Sequence, residues 1–235
     1  MSSRFGRRDF LAVASSPPLG LGPLDLLSEE AARLLPPASG PIDVAFLVSE
    51  GATVIDFTGP WEVFQDTMVP TRGSSHEEQM PFRLFTVADG SAPVQATGGL
   101  RITPDRTVDD AFAPRVIVVP AMRASARVIE WLRRTSATAD LTLSVCTGAF
   151  VLARAGLLAG RSATTHHDFL DRFAQDFPDV KVERGRRYVE GGRIATAAGL
   201  TSGIDLALRV VERYFGRGVA DATARYMEYE RSRVS

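Results

Sequence analysis

The chain has 235 residues, 45% of them hydrophobic, which suits one globular domain with an appendage and excludes a mainly disordered, collagen-like or coiled-coil protein. Its 27 Lys and Arg against 28 Asp and Glu leave no broad positive field, so a dedicated nucleic-acid binder is excluded. A single cysteine, Cys146, cannot close an intramolecular disulfide, and the three histidines (His76, His166, His167) lack CxxC or HExxH spacing, so no metal and no other cofactor is expected.

The first residues stand apart. Ser3-Arg4-Phe5-Gly6-Arg7-Arg8-Asp9-Phe10-Leu11 followed by the apolar Phe10 to Ala14 reads as a twin-arginine export signal, which places the protein outside the cytoplasm. That run is too short to span a membrane. Pro17, Pro18, Gly20, Gly22, Pro23, Pro36 and Pro37 then mark a linker up to residue 40, and a domain is expected over 41–235. From Pro41 short apolar strands alternate with helical stretches, the pattern of a single α/β domain with a largely parallel sheet and helices on both faces. Ile42 to Val48 reads as a first strand, and Gly59-Pro60-Trp61-Glu62 as the start of a helix with Trp61, Phe64 and Met68 on one face. After a polar loop around Gly73 to Gln79, Phe82 to Ala88 is the next strand, and Pro93 to Thr103 a hairpin excursion. Val116 to Val119 gives a third strand, Ala126 to Thr135 a helix, Leu141 to Val145 a fourth strand, and Ile204 to Phe215 a late helix.

The chemistry concentrates at Leu141-Thr142-Leu143-Ser144-Val145-Cys146-Thr147-Gly148-Ala149, where an apolar strand runs into Cys146, small residues follow, and a helical pattern starts at once. This is the layout of a nucleophile elbow, which exposes its side chain at the carboxyl end of the sheet, where open α/β folds bind ligands. A thiol at a helix N-terminus is expected to ionise readily. The competing reading of the spacing is a small buried hydrophobe.

Ser144 to Ala149, Ala155-Gly156-Leu157-Leu158-Ala159-Gly160-Arg161, Ala163-Thr164-Thr165-His166 and Gly199-Leu200-Thr201-Ser202-Gly203-Ile204-Asp205 together resemble the ThiJ/PfpI superfamily, with its flavodoxin-like, class I glutamine amidotransferase-like fold. The early Ile55-Asp56-Phe57-Thr58-Gly59-Pro60 looks like the isonitrile hydratase subgroup and the related sensor halves of AraC-type regulators. The resemblance implies Cys146 as nucleophile, Asp56 as its acid/base partner and Thr147 as a neighbouring hydroxyl, in a reaction that adds water to an isonitrile and yields an N-substituted formamide. Thiolate would attack the terminal carbon, nitrogen would take a proton, and water would displace sulfur. Protonated Asp56 is expected beside the thiolate. Gly59, Ala121, Met122 and His166 are candidate substrate contacts. The resemblance also implies a homodimer, a small-molecule substrate and no nucleic-acid partner.

Each assignment has a plainer competitor. Asp56 and Asp205 are also placed to compensate a helix dipole, Thr147 to be a small polar residue of a first turn, and His166 to be pocket wall. Peptidases of the superfamily carry His directly after the cysteine, whereas here Thr147 stands there, which argues against proteolysis. Relatives carry Pro-Gly-Gly where this chain has Pro120-Ala121-Met122, so the backbone N–H offered there to developing negative charge is expected from Ala121 or Met122. The alternative to an enzyme is a ligand-binding or redox-sensing domain without turnover.

Overall fold

The computed structural model describes residues 33–231; the twin-arginine reading and the linker before residue 33 fall outside them. Among the described residues seven strands form one sheet in the order β10-β11-β7-β6-β1-β2-β5. These are β1 (Ile42–Leu47), β2 (Phe82–Ala88), β5 (Arg106–Thr107), β6 (Val116–Val119), β7 (Leu141–Val145), β10 (Tyr188–Gly191) and β11 (Ile194–Ala197). Only β10 runs antiparallel to its neighbour. After building outward through β2 and β5, the chain returns to place β6 on the other side of β1. The loops that leave β1 and β6 therefore diverge, and a crevice opens at the carboxyl ends of the strands.

Continuous apolar strands are covered on both faces, and alternate residues serve different layers. Ile42, Val44 and Phe46 of β1 join Val116 and Val118 of β6 in one core, with α1 (Val54–Gln65), α6 (Ser202–Phe215) and α7 (Arg217–Tyr226). Ala45 and Leu47 join Ile117 and Val119 in the other, with α3 (Ala126–Ser136), α4 (Gly148–Arg154) and α5 (Leu170–Asp176). Rings bind α1 to the sheet: Phe46 lies 4.9 Å from Trp61, and Phe64 lies 4.8 Å from Phe82. The hairpin is present as β3 (Val94–Gln95) and β4 (Arg101–Ile102), while β8 (Ser162–Ala163) and β9 (Lys181–Val182) form a separate parallel ribbon.

Three expectations are corrected. The first helix starts at Val54, five residues before Gly59, and holds Pro60 inside it. Its start is set by tertiary bonds, since Thr53 N–H donates to the Ala121 carbonyl at 2.9 Å and Val54 N–H to Thr97 Oγ1 at 3.1 Å. Pro60 costs this helix the bond that would reach the carbonyl of Asp56. The expected polar loop contains α2 (His76–Gln79), closed by a capping box in which Ser75 and Glu78 exchange side-chain and backbone hydrogen bonds. The segment from Leu34, expected to be linker, is tied down: Leu34 N–H donates to the Arg213 carbonyl at 2.8 Å and Arg115 donates to the Leu35 carbonyl at 3.0 Å.

Helix α4 approaches the sheet so closely that a Cβ on Gly148 would lie 2.2 Å from the Val119 carbonyl oxygen, whereas one on Gly218 in α7 meets nothing within 4 Å. Gly148→Ala is expected to lower stability by about 3 kcal/mol, the upper range of overpacking, and Gly218→Ala to raise it by up to about 1 kcal/mol. Denaturant midpoints of the two variants check this, with opposite signs as the expected result.

Candidate active site

Cys146 leaves β7 with φ at 59°, a left-handed conformation that a side chain adopts only under constraint. Its N–H donates to the Ala198 carbonyl at 2.7 Å, and its carbonyl accepts from Thr165 Oγ1 at 2.9 Å. These bonds clamp the residue between the ends of β7 and β11 and the segment after β8. The elbow turns into α4 at once, with Thr147 at the N-cap position and no capping hydrogen bond from its hydroxyl. The sulfur is buried and accepts hydrogen bonds from the backbone N–H groups of Thr147 and Leu200. Leu200 is itself at φ 50°, so two strained residues face each other across the thiol.

Asp56 occupies the first turn of α1 and is fully buried. Its Oδ2 accepts the Ala121 N–H at 3.1 Å, while the Ala121 carbonyl takes the Thr53 N–H at 2.9 Å. The two bonds lock the start of α1 to the end of β6 and aim the carboxyl at the elbow. Oδ1 is buried without a hydrogen bond of regular geometry, and the Cys146 thiol is the polar group that interacts with the carboxyl. Burial raises the Asp56 pKa from 3.8 to about 6, against the Ala121 and Cys146 hydrogen bonds that lower it. Burial and then the Asp56 charge push the thiol from 9.0 up to about 11, beyond what the Thr147 and Leu200 N–H groups offset. The readily ionised thiol expected at the elbow is therefore corrected to one whose ionisation is made harder, beside an acid that is also shifted upward. Desolvation outweighs the helix terminus here.

The remaining candidates separate. Thr147 adjoins the sulfur through its N–H. Ala121 is buried, yet its N–H is already committed to Asp56 and is not free for an oxyanion, which corrects the role expected of it. Met122 is partly buried and packs between the two cores. Gly59 lies in α1 against α6, where a Cβ would stand 3.0 Å from Ile204 Cγ1, so its bareness serves helix packing. His166 makes no hydrogen bond to Cys146 or Asp56. Its Nδ1 accepts the Asp168 N–H at 3.3 Å, and its ring lies against Gly199 and stacks on His167 at 4.3 Å. Ligand atoms of His166, His167 and Asp168 fall within 4.8 Å of one another, a grouping the sequence spacing had not suggested. Asp205 is buried and pairs with Arg187 at 2.5 Å. Sequence reasoning gave no role to Thr165, Ala198 or Leu200; the adjacent Gly199-Leu200-Thr201-Ser202 turn was the signal that could have found the last two.

A buried cysteine on a strained elbow at the switch point of a mainly parallel sheet, with a buried acid beside it, defines a cysteine-centred α/β protein. Residues 43–213 match the DJ-1/PfpI family, and the chain belongs to it. It is similar to isonitrile hydratase of Pseudomonas putida, at 29% identity over 80% of this chain and 78% of that one. It is equally similar, at 29% identity over 76% of its length, to the HTH-type transcriptional regulator CdhR of Pseudomonas aeruginosa, of which it spans 52%. A THiJ/PfpI family protein from Pseudomonas syringae superposes with TM-score 0.71 and 26% identity, covering 94% of this chain and 84% of that one. Drosophila melanogaster DJ-1beta shares the fold at TM-score 0.67 and 18% identity, covering 81% and 100%. No helix among the described residues is long and apolar enough to cross a membrane.

Because Asp56 ionises near 6 when folded and near 3.8 when unfolded, the native state holds the extra proton between these values, and stability falls as pH rises through that window. Asp56→Asn abolishes this loss, so its stability relative to wild type should rise by on the order of 2 kcal/mol between about pH 4 and pH 7. Denaturant titrations at several pH values measure it; parallel profiles would refute the raised carboxyl. The same variant removes a charge that raises the thiol, so the midpoint of Cys146 alkylation by iodoacetamide should move to lower pH.

Proposed function

We propose that this protein hydrates a small isonitrile to its N-substituted formamide, with Cys146 as nucleophile and Asp56 as acid and base. The observation that carries the reading is the buried Asp56 carboxyl interacting with the Cys146 thiol, with Thr147 and Leu200 N–H groups on the sulfur. The similarity to isonitrile hydratase supports it.

Starting from thiol and carboxylate, Asp56 accepts the thiol proton as sulfur bonds to the terminal carbon of R–N≡C, and returns it to that carbon. The product is a thioimidate, R–N=CH–S–Cys146. Water then adds to the same carbon while nitrogen gains a proton, Asp56 relaying the proton that water loses. The C–S bond breaks, R–NH–CHO leaves, and the sulfur departs as thiolate, which the Thr147 and Leu200 N–H groups stabilise until it is reprotonated. One water is consumed and no electrons are exchanged. The thiol raised to about 11 makes the base essential, since the free thiolate population at neutral pH is small.

Cys146→Ala should abolish formamide production while keeping the fold. Asp56→Asn should lose about 10²-fold or more of turnover, the range of a removed acid/base group, yet still alkylate at Cys146. Product chromatography with a panel of small isonitriles reads both; inactivity of wild type across the panel sinks the hydratase assignment. The second reading, a ligand-binding domain without turnover, is favoured by the match to half the length of the regulator CdhR. It requires saturable binding with no formamide.

We further propose export through the Arg7-Arg8 pair and assembly as a homodimer acting on a small molecule without nucleic acid. Replacing both arginines by lysine should retain the protein in the cytoplasm, and unchanged cell fractionation would refute export.

A further inference from the structure

We infer that Arg187 and Asp205 are positioning residues for the thiol: they hold the turn after β11 so that the Leu200 N–H stays on the Cys146 sulfur. This turn, Ala198 to Ser202, joins β11 to α6, and Leu200 stands in it at φ 50° with its N–H donated to the sulfur. The Leu200 side chain is 41% exposed and borders an open cavity of about 320 Å³ that His166 and His167 also wall. Packing therefore does not fix a residue whose strained backbone would relax if released. Ser202 N–H donates to the Gly199 carbonyl at 3.0 Å and Gly203 N–H to the Leu200 carbonyl at 3.1 Å; these bonds shape the turn without tying it to the elbow.

Arg187 supplies that tie at both ends of the turn. Its carbonyl accepts the Ala198 N–H at 2.9 Å, and the Ala198 carbonyl accepts the Cys146 N–H at 2.7 Å. Its side chain reaches the other end, where Nε and Nη2 lie 2.7 Å and 2.5 Å from Asp205 Oδ2 in the first turn of α6. Nη2 also lies 3.4 Å from Thr201 Oγ1 and 3.3 Å from the Tyr229 hydroxyl. A planar fork held on three oxygens fixes an orientation that a point charge would not. Dipole compensation does not account for the pair, because the Asp205 side chain is 4% exposed and its charge is matched by Arg187. Neither exposed nor buried ion pairs add much net stability, so the use of this one is the geometry it enforces. Gly203 sets how closely α6 approaches β7, since a Cβ there would stand 2.9 Å from a Val145 methyl. The Arg187–Asp205 pair sets the rotation of the first turn about that contact, and with it the direction of the Leu200 N–H.

The readout is the thiol itself, and only a turnover arm rests on the proposed hydration. The decisive variant is the double substitution Arg187→Met with Asp205→Leu, which leaves no unpaired buried charge and so keeps the fold where either single change could lose it. Amide exchange at Leu200, followed by NMR, should quicken in it. Its Cys146 alkylation by iodoacetamide should slow about tenfold at each pH from about 7 to 9, the scale of one hydrogen bond lost from a charged acceptor. Asp56, the charged group that acts on the thiol, is untouched. Arg115→Ala breaks the ion pair with Asp140 at the opposite end of the sheet and should change neither measurement. Unchanged alkylation and Leu200 exchange in the folded double variant, or an equal fall in Arg115→Ala, overturns the inference. In the turnover arm kcat for an isonitrile should fall about tenfold with KM little changed, because sulfur leaves as thiolate. Slowed alkylation with no isonitrile turnover by wild type leaves the inference standing and removes the hydratase reading; turnover by wild type with an unaltered thiol in the double variant does the reverse.

Discussion

The positive φ of Cys146 is the constraint on which the site depends. A cysteine in the left-handed region is disfavoured by about 1 kcal/mol or more, and it persists only where its surroundings overdetermine it. Here the surroundings are identifiable. The N–H is held by Ala198, the carbonyl by Thr165, and the following residue but one is Gly148, which lets α4 begin against the backbone of β6. Remove any of these and the chain could relax into an ordinary strand-to-helix turn, with the thiol drawn back from the crevice. Strand order does the rest, because β7 sits between β6 and β11 and so the loops that carry Ala121 and Leu200 converge on the elbow from either side.

Electrostatics follow from that geometry. Sulfur and carboxyl are both buried, and the surrounding donors are backbone N–H groups, with no formal positive charge bonded to either. Burial raises both groups and the Asp56 charge raises the thiol further, so the pair resists carrying two negative charges. A histidine could have reversed this by supplying a cation. His166 is turned toward Gly199 and the cavity, and the position after Cys146 is a threonine.

Much of this was legible in the residues. The strands β1, β2, β6 and β7 announce themselves as short apolar runs, and the elbow as a strand meeting Cys146 and then small residues; local composition suffices for both. The start of α1 was not legible, because Gly59-Pro60 carries the local signal of a helix start while Thr53 and Val54 are fixed by groups from 97 and 121. The direction of the thiol shift was misread for a related reason. The helix terminus is visible in sequence, whereas the burial and the neighbouring carboxylate that outweigh it are products of tertiary structure. The antiparallel β10 and the N–H of Leu200 escaped notice because a strained turn and a short edge strand leave little trace in hydrophobic periodicity.

The two margins of the sheet decide whether further strands can be added to it. On one side the sheet ends in β5, only two residues long, with Arg106 stacked over Phe112 at 5.7 Å. On the other it ends in β10, reversed in direction, with Glu190 engaged by Arg209 and Arg213 and β8 packed alongside. Neither margin offers a long row of open backbone groups to a newcomer. A mainly parallel sheet that could otherwise be extended indefinitely is thereby terminated at seven strands among the described residues.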